Sequence, residues 1–120
     1  MADRVLFISW SAVVRGREER ALEVFNESLG LYGRFQQDGR IEGFDVALLE
    51  PSSGVAGYIV IHGSAEQIAA LPEDDEFRRL IVDATLIVDD LHVVPGRTNE
   101  ALAKEIGLFA EAAAKVPQNA

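Results

Sequence analysis

The stretch Ile41-Glu42-Gly43-Phe44-Asp45-Val46-Ala47-Leu48-Leu49, then Glu50-Pro51-Ser52-Ser53-Gly54, then Val55-Ala56-Gly57-Tyr58-Ile59-Val60-Ile61-His62-Gly63, decides the fold. Two runs of strand length flank a short connector rich in turn formers, which predicts an antiparallel hairpin. Phe44, Val46 and Leu48 share one side of the first run. What precedes and follows this hairpin fixes the topology around it.

Upstream, Val5 to Val14 has strand character. Leu6, Ile8, Trp10 and Ala12 lie on one side, and Val5, Phe7, Ser9 and Ser11 on the other. Apolar groups on both sides of its first half predict a central strand covered on both faces. After Gly16 the period becomes helical. Leu22, Phe25, Leu29 and Tyr32 form the inward stripe, widened by Ala21, Val24, Ser28, Leu31 and Phe35, while Glu18, Glu19, Glu23 and Glu27 fall on the wet side. Gly30 and Gly33 mark either a close approach to the sheet or an early end, and Asp38–Gly39 is the stop signal.

Downstream, Ser64 and Gln67 have the spacing of a capping box. Ile68 and Leu71 face inward before Pro72 interrupts. Phe77, Leu80, Ile81 and Ala84 then continue the buried face, predicting one short turn and a fresh helix to about Thr85. A last strand over 88–95 ends at Pro95–Gly96. A final helix over 99–115 carries Leu102, Ile106, Phe109, Ala113 and Val116 on one stripe, which needs a surface to cover it. The expected fold class is α+β: a ferredoxin-like βαββαβ arrangement, with a four-stranded antiparallel sheet, helices on one face and an added C-terminal helix. Strands are expected near 5–14, 42–49, 55–63 and 88–95, and helices near 17–37, 65–84 and 99–115.

Composition bounds the function. The 120 residues are 48% hydrophobic and 26% charged, with a net charge of −9 and no cysteine. One domain over 1–120 is expected, with its core over about 4–95. Thiolate chemistry and disulfides are excluded. No apolar run approaches a membrane span and no signal peptide opens the chain, so a cytoplasmic address with no membrane partner is expected. The acidic balance opposes phosphate backbones, so no nucleic-acid partner is expected.

No Walker-type loop, G-x-G-x-x-G, G-x-S-x-G or H-E-x-x-H occurs. Adjacent carboxylates in Glu73–Glu76 diverge around a helix and do not surround an ion, and Asp89–Asp90 face opposite sides of a strand. No metal site and no cofactor are expected. His62 and His92 have the side chain best suited to proton transfer near neutral pH, although a strand histidine is more commonly a hydrogen-bonded structural group. Trp10 is either core or a pocket wall. If the last strand pairs with the first in even-sum register, Trp10 and His92 share a face. Trp10, Tyr58, His62 and His92 around the free side of the sheet are then the candidate ligand-binding residues.

The run ending at Trp10, the Gly39–Phe44 entry to the hairpin, the Gly57–Gly63 strand and the Leu71…Glu76-Phe77 helix start resemble the dimeric α/β-barrel branch of the ferredoxin-like superfamily, over about residues 4–95. The resemblance implies a second copy burying the free sheet face, hence a homodimer, with a small hydrophobic ligand as an optional partner. Monooxygenases of similar fold use an Asn, a Trp and a His or Tyr. Trp10 matches by type, whereas the first strand offers Ser9 and Ser11 in place of Asn. Haem-binding members take an axial His from a helix, but both histidines here fall on strands. Three functions stay open: a homodimer without catalysis that binds a small molecule, a cofactor-free monooxygenase or isomerase acting on a small aromatic or hydrophobic compound, and a regulatory ligand-sensing module.

Overall fold

Along the chain run β1 (Arg4–Trp10), β2 (Ala12–Val13), α1 (Glu18–Gln37), β3 (Gly43–Leu48), β4 (Gly57–Gly63), α2 (Ala65–Ala70), one 3-10 turn (Leu71–Glu73), α3 (Asp75–Thr85), β5 (Val88–Asp89), β6 (His92–Arg97) and α4 (Asn99–Ala114). The computed structural model describes residues 2–51 and 54–117, so Ser52 and Ser53 of the hairpin connector lie outside the described residues. The main sheet is antiparallel in the order β3-β4-β1-β6, with the expected hairpin forming its β3-β4 pair.

Directly paired residues of antiparallel strands share a face. Pairing Ile8 with Ile59 and Val93, and Leu6 with Ile61 and Pro95, assembles the inner face. Ile59 and Ile61 alternate with half-buried neighbours, and they join Leu6 and Ile8 in one cluster with Val24, Leu31, Tyr32 and Phe35 of α1 and Phe77 and Leu80 of α3. The two helices therefore cover this face and only this face.

Several expectations shift. The first strand does not run to Val14. It breaks at Ser11, and Ala12–Val13 pair with Val88–Asp89 in a separate two-stranded ribbon. Asp90, in the left-handed region at φ 52°, turns the chain from β5 into β6 and accepts a hydrogen bond from Ser11 Oγ at 2.8 Å. The last strand continues through Pro95 and Gly96 to Arg97, because β6 is an edge strand and an edge tolerates proline. The buried arc of α1 is centred on Val24, Ser28, Leu31 and Phe35, leaving Leu22 61% exposed. Gly30 and Gly33 neither end that helix nor touch the sheet.

The end of α1 is closed chemically. Gly39, at φ +75°, donates to Gln36 O and Arg40 N–H donates to Phe35 O at 2.8 Å, the paired bonds of a Schellman motif. The Arg40 guanidinium then lies 4.1 Å above the Phe35 ring and donates to Asp74 Oδ2 at 2.7 Å. Asp74 is itself the N-cap of α3, accepting from Phe77 N at 2.9 Å. One arginine thus ties the end of α1 to the start of α3. The expected capping box of α2 is present, with Ser64 and Gln67 satisfying each other's backbone N–H.

The C-terminal helix lies at the edge. Ala101 is buried, but Ile106 and Phe109 of the apolar stripe are exposed, Phe109 by 74%, so α4 does not fold back over the bare sheet face.

The Arg40 hydrogen bond first, and then the Phe77 N–H, hold the Asp74 carboxyl below its ordinary value of 3.8. A depressed folded pKa gives stability that is present above the unfolded value and lost as pH falls through the folded one. Asp74→Ala should cost about 1 kcal/mol at neutral pH, as loss of an N-cap does. The gap from the parent in urea unfolding should narrow as pH drops below 3.8; a gap independent of pH would show that the charge of Asp74 contributes nothing.

Candidate functional site

The antiparallel register sorts the four candidate residues onto two faces. Ser9 pairs with His92 and with Tyr58, an odd-sum register for β1 and β6. Trp10 therefore does not share a face with His92. It shares the helix-covered face with Leu6 and Ile8, while Tyr58, His62 and His92 stand on the bare one.

On the bare face the ladder gives three rows: Ala47-Tyr58-Ser9-His92, Asp45-Val60-Phe7-Val94 and Gly43-His62-Val5-Gly96. Phe7 stacks on Tyr58 with ring centroids 5.7 Å apart, and His62 Nε2 lies 2.7 Å from Asp45 Oδ2. His62 and His92 are two rows apart and do not converge on one centre. Phe7 remains 38% exposed and Val94 50%. This surface is a half-wet apolar face with one polar pair at its edge.

On the other face, Trp10 forms one wall of a cavity of about 250 Å³ between sheet and helices. Ile8 and Ile59 line it from the sheet. Leu22, Phe25, Ser28 and Tyr32 line it from α1, Leu80, Ile81 and Ala84 from α3, and Ile87, Val88 and Leu91 from the segment after it. The space opens to the surface where the exposed Leu22, Leu48 and Glu18 border it. Phe25 meets Trp10 edge-on at 6.2 Å. Gly57 makes room for the indole: a Cβ there would lie 2.7 Å from Trp10 Cζ2 and 2.9 Å from Ala47 O.

Polar groups in this cavity are few. Ser28 Oγ donates to Val24 O at 2.8 Å and is also the side-chain hydrogen-bond partner of Tyr32. Burial pushes the Tyr32 phenol above its ordinary value, so it stays neutral. At the exposed start of α1, Glu18 lines the mouth and its Oε1 accepts from Gly16 N at 2.9 Å. Phe25, Ser28 and Tyr32 belong to the helical stripe in the sequence, but nothing in a stripe announces a void. The signal that could have found the site is a serine and a tyrosine four apart inside an apolar arc, opposite a strand glycine.

Among the described residues no helix is long and apolar enough to cross a membrane, and no group of three His, Asp or Glu side chains could hold a metal ion.

Trp10 is the sole tryptophan, so its emission reports on this site. Gly57→Ala should shift that emission and cost about 1–3 kcal/mol by overpacking. An unchanged spectrum with an unchanged unfolding midpoint would mean that the indole does not lie over Gly57.

No protein-family model matches the sequence, and no curated protein matches it. Solved structures do match. A dimeric ferredoxin-like protein of unknown function from a Jannaschia species superposes with a TM-score of 0.63 at 10% identity, covering 79% of this chain and 98% of that one. A dimeric protein of unknown function and ferredoxin-like fold from Bacteroides fragilis gives 0.58 at 12% identity, covering 78% and 95%. SnoaB, a cofactor-independent oxygenase from Streptomyces nogalater, gives 0.53 at 16% identity, covering 84% and 98%. At such identities the likeness speaks for architecture alone: the chain has the ferredoxin-like α+β fold that these proteins share.

Proposed function

We propose that this protein is a homodimer in which each protomer binds a small apolar molecule in the cavity beside Trp10. The cavity carries the reading. An apolar cavity of about 150 Å³ stays dry and admits benzene, so about 250 Å³ has room for a body of two fused rings. Its walls are aliphatic and aromatic, with a few polar groups at defined places, which is the composition of a small-ligand site. Ala84, on α3, faces the space without being fully buried.

Assembly draws on the other face. Val5, Phe7, Tyr58, Val60 and Val94 form a band across three strands that the helices do not cover. A two-fold copy would remove that band from water at about 25 cal/mol for each Å² of apolar area. The ferredoxin-like proteins from Jannaschia and Bacteroides fragilis, described as dimeric, support this reading. In it Tyr58, His62 and His92 belong to the interface, and Trp10 to the ligand site.

Naphthalene serves as the probe for the cavity. It should raise the unfolding temperature in a concentration-dependent way, because a ligand of the folded state alone stabilises it by mass action. Ala84→Trp, which fills the space, should fold and lose that response. A parent protein indifferent to naphthalene, or a variant that responds equally, would overturn the ligand reading. For assembly, light scattering at micromolar concentration should give twice the chain mass, and Phe7→Glu should give the single-chain mass with its circular dichroism intact. A parent that scatters as a single chain would overturn the dimer.

A further inference from the structure

We infer that the cavity beside Trp10 selects an uncharged or cationic molecule carrying a hydrogen-bond donor, and excludes carboxylates and other anions. The inference rests on the cavity being a ligand site and goes on to the chemistry of its occupant. At the inner end, the one proton of Ser28 is spent on Val24 O, so in its contact with Tyr32 the serine oxygen is the acceptor. A hydroxyl has one proton but two lone pairs. What remains for a ligand there is acceptor capacity. Among the described residues no buried side-chain nitrogen or oxygen lacks a hydrogen-bond partner.

The mouth points the same way. Glu18 presents a carboxylate whose one backbone partner, Gly16 N–H, leaves acceptor sites free. The Trp10 indole N–H is the remaining donor among the lining side chains, and no lysine, arginine or histidine accompanies it. An anion entering would shed its hydration with no cation among the lining side chains to receive it, in a protein of net charge −9. A hydroxyl or an amine on an apolar body would find acceptors at the inner end or at Glu18.

Calorimetric titration at pH 7 with naphthalene, 2-naphthol and 2-naphthoate separates these contributions with one ring system. 2-Naphthol should bind about fivefold more tightly than naphthalene, the share of one neutral hydrogen bond. 2-Naphthoate should bind at least about a hundredfold more weakly than 2-naphthol, and Glu18→Gln should narrow that gap. The double variant Ser28→Ala/Tyr32→Phe replaces both hydroxyl partners by groups of the same shape, a change that folded proteins tolerate well. In it the preference for 2-naphthol over naphthalene should fall to about one. 2-Naphthoate binding as tightly as 2-naphthol would overturn the inference, and so would a preference that survives the double variant; in both cases naphthalene binding leaves the cavity reading standing. Failure of all three probes to bind would overturn both.

Discussion

Everything in this molecule depends on the register in which β1 is held between β4 and β6. Strand side chains alternate, so one register sends Leu6, Ile8 and Trp10 under the helices and Val5, Phe7 and Ser9 to the bare face. A slip of one residue would exchange the two sets. It would put Ser9 among the core isoleucines and expose the residues that now make the core. The ladder partners Ile59 and Ile61 hold the register by the same logic, since each is buried only while it faces α1 and α3.

The cavity is a consequence of that register combined with a missing side chain. Trp10 reaches the inner face at the end of β1, where Gly57 opposes it and leaves the indole room to lie across β4. With the ring there, α1 approaches through Phe25, and the space behind is bounded by α3 and the segment after it. The two helices are also tied at their far ends. Arg40 closes α1, covers Phe35 and binds the capping carboxylate of α3. This linkage is on the surface, and its ion pair adds little by itself. Its effect is to help fix the relative positions of two helices that both line the cavity.

The shape of the chain is unusual for its length. Its radius of gyration is 17.1 Å, against about 14 Å for a compact domain of this size, and its longest dimension is 54 Å against a shortest of 23 Å. The C-terminal helix extends from the edge strand with apolar residues outward, and the opposite sheet face is half wet. Two exposed apolar surfaces on one small chain are more than a soluble monomer ordinarily carries. Both become reasonable if a second copy is part of the structure.

The sequence by itself determined the order and kind of the elements. Changes of period from two to about 3.6 follow from local backbone geometry and need no knowledge of partners. The Ser64–Gln67 capping box and the Asp38–Gly39 stop were legible for the same reason, because each is satisfied within a few residues of itself. The edge of β1 and the start of the last strand were not, because the break at Ser11 exists only where Asp90 turns across from a distant part of the chain. Pro95 looked like a terminator because a sequence does not say which strand is at the edge. Trp10 and His92 were assigned to one face or to opposite faces by the register alone, and a register is a long-range pairing. Leu22 fitted the helical stripe as well as Val24 did, and only the tilt of α1 on the sheet put one at the mouth and the other in the core. A void is still less visible, since it is the space left after all the elements have packed. Sequence names the side chains; only tertiary structure decides which of them fail to meet.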